Sequence, residues 1–130
     1  METYELYNDL IGKPFLWGGR GPDGYDCLGL CIEIYRRLNK TIPDINSPEK
    51  NDICMTDKLL QIEKTRFIKI KNPVTHCLIA FKLKPPFVSH LGVMTEGNRN
   101  FIHVHRNQRV CIKRLDNWWR QRIEGFYIYE

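Results

Sequence analysis

The chain of 130 residues is 42% hydrophobic and 27% charged, ordinary values for a globular protein, which exclude intrinsic disorder and predict a single domain over residues 1–130. Its 20 basic and 15 acidic residues give a net charge of +5, which favours an anionic partner, although a generally basic surface explains the charge equally well. No apolar run approaches the length of a membrane span, and residues 1–8 lack the regions of a signal peptide, so we expect synthesis in the cytoplasm and no membrane partner.

The first half of the chain is predicted to be helical with long loops. Apolar side chains recur at spacings of three and four in two stretches, which is the pattern of an amphipathic helix. Glycines, prolines and short polar residues separate these stretches. The predicted elements are a helix over residues 3–11 with Leu6, Tyr7, Leu10 and Ile11 on its apolar face, a glycine-rich loop over 14–25, a helix over 26–38, a surface loop over 39–52 and a brief helix over 57–64.

After residue 65 the pattern changes to short apolar runs of strand length. A Glu96-Gly97-Asn98 turn separates two of these runs and predicts a hairpin. Helices followed by antiparallel strands indicate an α+β domain. The predicted strands are residues 67–70, 77–81, 88–95, 100–105, 110–113 and 126–129, with a helical turn over 116–122.

Cys27 stands where the glycine-rich loop enters the second helix. Asp26 is a good N-cap, so Cys27 falls at the first helical position. Unpaired N–H groups and the helix dipole favour an anion there, and cysteines so placed can have pKa values of roughly 3.5–7.5. The alternative is that Cys27 is a small buried hydrophobic side chain, which is the usual environment of a free cysteine. A nucleophile also needs a base from elsewhere in the chain.

The histidines supply candidate bases. In a hairpin over residues 88–105, His90 lies beside the strand that carries His103 and His105, and these two share a face because they are two residues apart. The register is not fixed to one residue, so either is a candidate neighbour of His90. A lone strand histidine is more often structural. A thiol that needs an imidazole base, and an imidazole that needs a polar orienting partner, together favour the catalytic interpretation.

Other chemistries are less well supported. The five cysteines form an odd set without a Cys-x-x-Cys pair, which indicates free thiols, and the paired spacing of a zinc site is absent. Residues 18–24 lack the Lys-Ser or Lys-Thr of a phosphate loop. Trp118-Trp119-Arg120 mixes aromatic and basic residues as single-strand nucleic-acid binders do, but its helical flanks favour a packing element. We therefore expect no metal, no cofactor and no nucleic-acid partner.

Three motifs in chain order resemble those of the NlpC-like, papain-like cell-wall cysteine peptidases. They are Pro14-Phe15-Leu16-Trp17-Gly18-Gly19 with Gly24-Tyr25-Asp26-Cys27-Leu28-Gly29-Leu30, then Ser89-His90-Leu91-Gly92-Val93, then Phe101-Ile102-His103. Residues 118–127 are most similar to the branch of that family found in phage tail gene clusters. The resemblance implies a papain-like NlpC-type fold, with N-terminal helices packed on a C-terminal antiparallel sheet.

The resemblance also assigns roles. It implies that Cys27 is the nucleophile, His90 the base and His103 the group that orients the base, with His105 as a reserve candidate for that last role. The residues that we expect to contribute to substrate binding are Trp17, Asp26, Ser89 and His105.

The chain departs from the family pattern at three places near the motifs. Phe15 stands where the family often has tyrosine, Leu28 where it often has serine, and Thr75-His76 where a Gly-Asp pair is common. None of these changes removes a catalytic group. They therefore bear on substrate specificity more than on activity.

The function that the resemblance implies is a cysteine endopeptidase or amidase. It would cleave peptidoglycan stem peptides between D-glutamate and a diamino acid, through a thioester on Cys27. We expect it to act at the bacterial cell wall as part of a phage tail, with tail-tip proteins as partners, or after lysis. Two alternatives are a non-catalytic structural tail component with the same fold, and a Cys-His acyltransferase or deamidase.

Overall fold

Helices and strands follow one another in the order that the sequence predicts. A computed structural model describes residues 3–44, 66–83, 86, 88–95 and 99–129. The helices among these residues are α1 (Thr3–Tyr7), α2 (Cys27–Arg37) and α3 (Asn117–Arg120). The strands are β1 (Phe67–Ile70), β2 (Leu78–Phe81), β3 (His90–Met94), β4 (Asn100–His103), β5 (Cys111–Arg114) and β6 (Ile123–Tyr129).

Both N-terminal helices were predicted, but the end of α2 was predicted more accurately than the end of α1. α2 begins at Cys27 with Asp26 as its N-cap, as predicted. α1 ends at Tyr7, four residues before the predicted end, because residues 8–12 form turns in which Leu10 N–H donates to the Tyr7 carbonyl oxygen. Leu10 is buried, but Ile11 is 42% exposed, so its predicted place on the buried face was wrong. The turns rotate Ile11 outward while Leu10 still reaches the core.

Three predictions fall partly or wholly outside the described residues. The brief helix over 57–64 and the turn over 96–98 lie entirely outside them. Of the predicted surface loop over 39–52, residues 39–44 are described and contain neither helix nor strand.

The six strands form one antiparallel sheet in the order β1-β6-β2-β3-β4-β5. β2, β3, β4 and β5 are neighbours in sequence and in space, as short hairpin connections require. β6 is inserted between β1 and β2, and it begins at Ile123, three residues before the predicted start. This insertion brings α3, which immediately precedes β6, close to the sheet.

Both faces of the sheet contribute buried side chains, because successive side chains along a strand point to opposite faces. One face packs with α1 and α2 and contributes Leu78, Ala80, Leu91, Val93 and Ile102 to the first cluster of buried residues. The opposite face forms a second cluster with Ile79, Phe81, Met94, Phe101 and Leu115, against which Trp119 of α3 packs. α2 lies against β3, so the helix that starts at Cys27 is packed on the strand that starts at His90.

Candidate active site

Cys27 is held at the first position of α2 by the Asp26 cap. The Gly29 N–H donates to Asp26 Oδ1 at 2.7 Å, and the Gly18 N–H donates to Asp26 Oδ2 at 3.1 Å. One carboxylate therefore satisfies a donor of the first helical turn and also a donor of the preceding loop. Cys27 itself is 2% exposed. The thiol thus lies at the end of a helix where backbone N–H groups and the helix dipole favour a negative charge.

Glycines allow the loop to lie directly on the first turn of α2. Gly18 has φ = 69°, a backbone conformation that residues with side chains rarely adopt. The Asp26 N–H lies 3.4 Å from the Gly19 carbonyl oxygen. A Cβ atom on Gly29 would lie well inside contact distance of that same oxygen. Gly29 is therefore required by the close approach of the loop, not by its own helical conformation.

The start of this loop and the residues just before it are hydrogen-bonded to the residues that follow His105. The Phe15 N–H donates to the Gln108 carbonyl oxygen at 3.0 Å, and the Gly12 N–H donates to the Val110 carbonyl oxygen at 2.9 Å. Trp17 packs edge-on against Phe15, and the Arg106 guanidinium lies 4.7 Å from the centre of the Trp17 ring. Trp17 thus lies against the segment that follows His105, while its predicted part in substrate binding remains a prediction.

His90 and His103 form a buried pair. His90 Nε2 and His103 Nδ1 are 2.7 Å apart, within hydrogen-bond distance, and both residues are 1% exposed. The ring of His105 meets the His90 ring edge-on, with centroids 5.0 Å apart. Of the two neighbours that the sequence allowed, His103 makes the hydrogen bond to His90, and His105 contacts the edge of the His90 ring.

The register of the β3–β4 hairpin explains this outcome. Val93 pairs with Ile102 and Met94 with Phe101. If this pairing continued, His105 would lie opposite His90 and His103 would lie on the diagonal, two residues away. Diagonal neighbours are within reach of long and aromatic side chains. The paired residues of β4 end at His103, however, so His105 lies beyond the strand.

Aromatic rings enclose the histidine pair. The Phe81 ring stacks on His90, and the Phe101 ring packs on His103 with centroids 4.9 Å apart. Trp119 lies 5.1 Å from His103 and 6.2 Å from His90, centroid to centroid. Of the predicted packing element Trp118-Trp119-Arg120, Trp119 packs as expected, whereas Trp118 is 50% exposed. The place of Trp119 beside the histidines was not foreseen. No local sequence signal showed it, since α3 reaches this face only because β6 is inserted into the sheet.

The enclosure keeps both imidazoles neutral. Burial, followed by the nearby His103 and His105, lowers the pKa of His90 well below its ordinary value of 6.5. Burial, followed by His105 and Lys113, lowers the pKa of His103 to about 4. At neutral pH, each ring therefore carries one proton, and the hydrogen bond between them requires that one ring donates and the other accepts.

The tautomers follow from what a base must do. If His90 is to accept a proton on Nδ1, its own proton must be on Nε2, which then donates to His103 Nδ1. His103 must then carry its proton on Nε2. That atom is buried and has no hydrogen-bond partner among the described residues. In this arrangement His103 acts as a neutral acceptor behind His90.

The remaining predicted substrate-binding residues have structural partners. Ser89 is buried, and its Oγ accepts a hydrogen bond from the Leu83 N–H at 3.2 Å. Asp26 caps α2 and also accepts from Arg20 Nη1 at 2.8 Å. His105 is partly exposed, so among these residues it has one of the more accessible side chains. A role in substrate binding stays a prediction for all four.

The other described cysteines differ from Cys27 in their surroundings. All four described cysteines are free thiols, as predicted. Cys31 is fully buried, and burial followed by the Asp26 charge raises the pKa of its thiol. Burial also raises the pKa of Cys77 and Cys111. None of these three stands at a helix start, so Cys27 alone among the described cysteines combines a thiol with a capped helix N-terminus.

Within the described residues, no group of three or more His, Cys, Asp and Glu side chains has the arrangement of a metal site. The same residues include no helix with the length and apolar character needed to cross a membrane.

Helices packed on an antiparallel sheet, with a cysteine at the start of the packed helix, define the α+β papain-like fold class. The sequence model described as the NlpC/P60 family matches residues 12–127, and the chain belongs to that family. A solved NlpC/P60 family protein from Bacillus cereus shares the fold with a TM-score of 0.72 at 21% identity, covering 99% of this chain and 40% of that one. The NlpC/P60 domain of the peptidoglycan hydrolase SagA matches with a TM-score of 0.64 at 18% identity, covering 98% of this chain and 96% of that one.

A curated relative is similar over most of this sequence. The murein DD-endopeptidase MepH of Escherichia coli is 32% identical over 120 residues, which is 88% of this chain and 40% of that protein. The chain thus spans less than half the length of that relative.

Proposed function

We propose that this protein is a cysteine peptidase or amidase that hydrolyses peptide bonds in peptidoglycan stem peptides, with Cys27 as nucleophile. One observation carries the proposal: a capped Cys27 begins the helix that packs on β3, and β3 begins with a histidine hydrogen-bonded to a second histidine. Membership of the NlpC/P60 family and similarity to a murein endopeptidase supply the substrate class.

The reaction that we propose is acyl transfer in two stages. His90 Nδ1 takes the Cys27 proton, and the thiolate attacks the carbonyl carbon of the scissile amide. The Cys27 backbone N–H, at the helix start, stabilises the oxygen that becomes negative. The C–N bond then breaks, His90 returns the proton to the leaving amine, and a thioester remains. Water, deprotonated by His90, attacks the thioester and restores the thiol.

His103 orients and supports the base. During the reaction His90 becomes an imidazolium with protons on both nitrogens, and Nε2 still donates to His103 Nδ1. The low pKa of His103 keeps it neutral, so it remains an acceptor and does not add a second positive charge. The buried surroundings disfavour an isolated imidazolium. The proton is therefore best held when the Cys27 thiolate supplies the opposite charge.

The test is a digest of purified peptidoglycan followed by mass spectrometry of the released fragments. The parent protein should release fragments with new amine ends, and Cys27→Ala should release none. Fragment masses distinguish cleavage between D-glutamate and a diamino acid, which we propose, from the DD-endopeptidase bond that the name of the E. coli relative suggests. An intact-mass measurement of the quenched reaction should show an acyl adduct on Cys27.

Other results would assign a different function. No release by a folded, substrate-saturated parent protein would indicate a structural component. Transfer of the acyl group to an added amine in preference to water would indicate an acyltransferase. Release of ammonia without chain cleavage would indicate a deamidase.

We also propose that the enzyme acts at the bacterial cell wall, delivered as part of a phage tail or released on lysis. The resemblance of residues 118–127 to the tail-associated branch and the net charge of +5 support this setting. Mass spectrometry of purified tail particles, produced from the native gene cluster, should detect the protein. Its absence from particles that contain their other tail proteins would contradict tail delivery.

A further inference from the structure

Arg20 joins two carboxylates at the start of α2. Its Nη1 donates to Asp26 Oδ1 at 2.8 Å and to the Gly19 carbonyl oxygen at 2.9 Å. Its Nε and Nη2 donate to Asp44 Oδ1 at 3.0 and 2.8 Å. Burial by itself would lower the pKa of Arg20, but the hydrogen bonds and charges of Asp44 and Asp26 outweigh burial and raise it. The guanidinium is thus a fixed positive charge beside the helix cap.

The Asp26 carboxylate has two opposing effects at the start of α2. It is a good cap for α2, but it is also a buried negative charge on the residue that precedes Cys27. A nearby like charge disfavours the thiolate form of a cysteine, whereas the helix N-terminus favours it. The Asp26 charge already contributes, after burial, to raising the pKa of Cys31, which is four positions beyond Cys27.

We propose that Arg20 is a positioning residue for the nucleophile, which balances the Asp26 charge beside Cys27 and holds that carboxylate in its capping geometry. The inference rests on the proposed role of Cys27. Arg20 acts through Asp26 and needs no contact with the substrate. The ion pair is well placed for this task, because the Asp26 side chain is 2% exposed and the Arg20 side chain 23% exposed, so solvent screens it only in part.

The geometry explains why the residue is an arginine. One guanidinium bonds a carboxylate, a backbone carbonyl and a second carboxylate at once, which requires several donors in a fixed plane. A Cβ on Gly29 would lie 3.0 Å from Arg20 Nη1, so the missing side chain at Gly29 also leaves room for the guanidinium. A lysine would supply the charge but not this set of bonds.

The test measures how the alkylation rate of Cys27 by iodoacetamide varies with pH, with each labelled cysteine identified by mass spectrometry. Arg20→Gln should raise the apparent pKa of Cys27 by about one unit, the lower end of the effect of a nearby charge. Asp26→Asn keeps a capping side chain but removes the negative charge, so it should lower the apparent pKa. The double variant Arg20→Gln/Asp26→Asn should return it to within a few tenths of the parent value.

Two further variants separate charge from packing. Arg20→Lys should give a shift smaller than that of Arg20→Gln. Arg36→Gln is the matched control, because Arg36 also pairs with a carboxylate, Glu33, but on the exposed surface of α2 with its side chain 68% exposed. This control should leave the Cys27 profile unchanged. No variant substitutes any other titratable residue on the elements around Cys27. These residues include His90 on β3, His103 on β4, His105 after it, Tyr25 in the loop, and Cys31 and Tyr35 on α2.

Each outcome either supports or overturns the proposed positioning role of Arg20. An Arg20→Gln profile equal to that of the parent, or a double variant no closer to the parent than Arg20→Gln alone, would overturn the inference and leave Arg20 a structural residue. If Arg20→Gln does not fold, Asp26→Asn still decides, since a raised or unchanged pKa contradicts charge balance. The measurement needs no substrate, so failure of the parent protein to digest peptidoglycan would refute the proposed function and leave this result intact.

Discussion

The two halves of the candidate site differ in how fully the hydrogen-bonding capacity of their buried polar groups is used. In the loop and helix start, residues 18–29, the Asp26 carboxylate accepts three hydrogen bonds and its charge is paired with Arg20. In the histidine half, two rings bond each other inside an aromatic enclosure, and His103 Nε2 is buried without a partner among the described residues. The first half has the features of a rigid scaffold. The second is costly to charge, and therefore sensitive to pH and to small changes.

The difference between the two environments matches the different charge requirements of a nucleophile and a base. A thiolate is stabilised by fixed dipoles and a balanced charge, which the loop half provides. A base must change its charge during each turnover, and its protonated form must be stable only when the nucleophile is ionised. Burial of His90 and His103 produces that condition, because an imidazolium without a nearby anion is disfavoured.

Removal of His103, the proposed orienting group, should have the largest effect. We expect His103→Ala to reduce the single-turnover rate of peptide release by about a hundredfold or more, as for orienting residues in catalytic triads. His103→Gln and His103→Asn should be milder, because an amide oxygen can still accept from His90. His105→Ala should stay within several-fold of the parent, since the hydrogen bond to His90 Nε2 is made by His103. The reverse ranking, in variants shown by circular dichroism to be folded, would place the orienting role on His105.

The histidine half should also limit stability in mild acid. The pKa of His103 in the folded protein is about 4, against an ordinary value of 6.5, so the unfolded state binds more protons between these values. Stability is then fully present above about pH 6.5 and falls as the pH drops, by about 3 kcal/mol from His103 alone by pH 4. Urea unfolding at a series of pH values measures this loss.

His103→Gln is the control for that loss. It should show a shallower fall between pH 6.5 and 4.5, because one buried titrating group has been removed. The lowered pKa values of Asp9 and Glu33 act only in more acidic solution, below their ordinary values of 3.8 and 4.5. Equal slopes for the parent and His103→Gln would contradict the assignment of the acid sensitivity to this pair.

A substitution in the loop half should act through packing. We expect Gly29→Ala to lower the free energy of unfolding by about 1–3 kcal/mol, because its Cβ would collide with the Gly19 carbonyl oxygen and displace the loop. Gly125→Ala is the control, since the closest atom there is Cε at the flexible end of Lys69, and the next, Tyr127 Cε2, is 3.2 Å away. Its cost should be smaller in urea unfolding. Equal costs would mean that the loop moves freely above the helix.

Cysteine labelling compares Cys27 with the thiols of the core. At pH near 6, Cys27 should react with iodoacetamide at least about tenfold faster than Cys31 and Cys77, whose pKa values are raised by burial. Cys111, whose pKa is also raised, and Cys54, which lies outside the described residues, should be slow as well. Similar rates for all five in the native protein would remove the case for an activated thiolate.

The smallest effect concerns the surface outside both halves. If the net charge of +5 guides the protein to an anionic wall, sedimentation with purified cell walls should weaken as salt rises, because exposed charges are screened. We expect a change of a few-fold between low and physiological salt. Cys27→Ala, which we expect to prevent digestion, is the suitable form for this measurement. Binding that does not vary with salt would make the charge incidental.

The sequence was most informative where the site is local. The start of α2 at Cys27 depends on an Asp26 side chain and on backbone groups within three residues, so capping rules predict it directly. The strands and the α+β order likewise follow from hydrophobic periodicity. Predicted ends were less accurate: α1 stops at Tyr7 because the following residues form turns, and their formation depends on packing as well as on local preference.

The sequence alone is therefore enough to predict a capped cysteine, a hairpin carrying histidines and the class of fold. The tertiary structure decided which histidine bonds His90, because side-chain reach across a hairpin depends on register and on where pairing ends. It placed Trp119 on the histidines through the insertion of β6, a long-range pairing that no local pattern encodes. It also brought Arg20 onto Asp26 and Asp44, the latter 24 residues away, because charge pairs are set by the path of the folded chain.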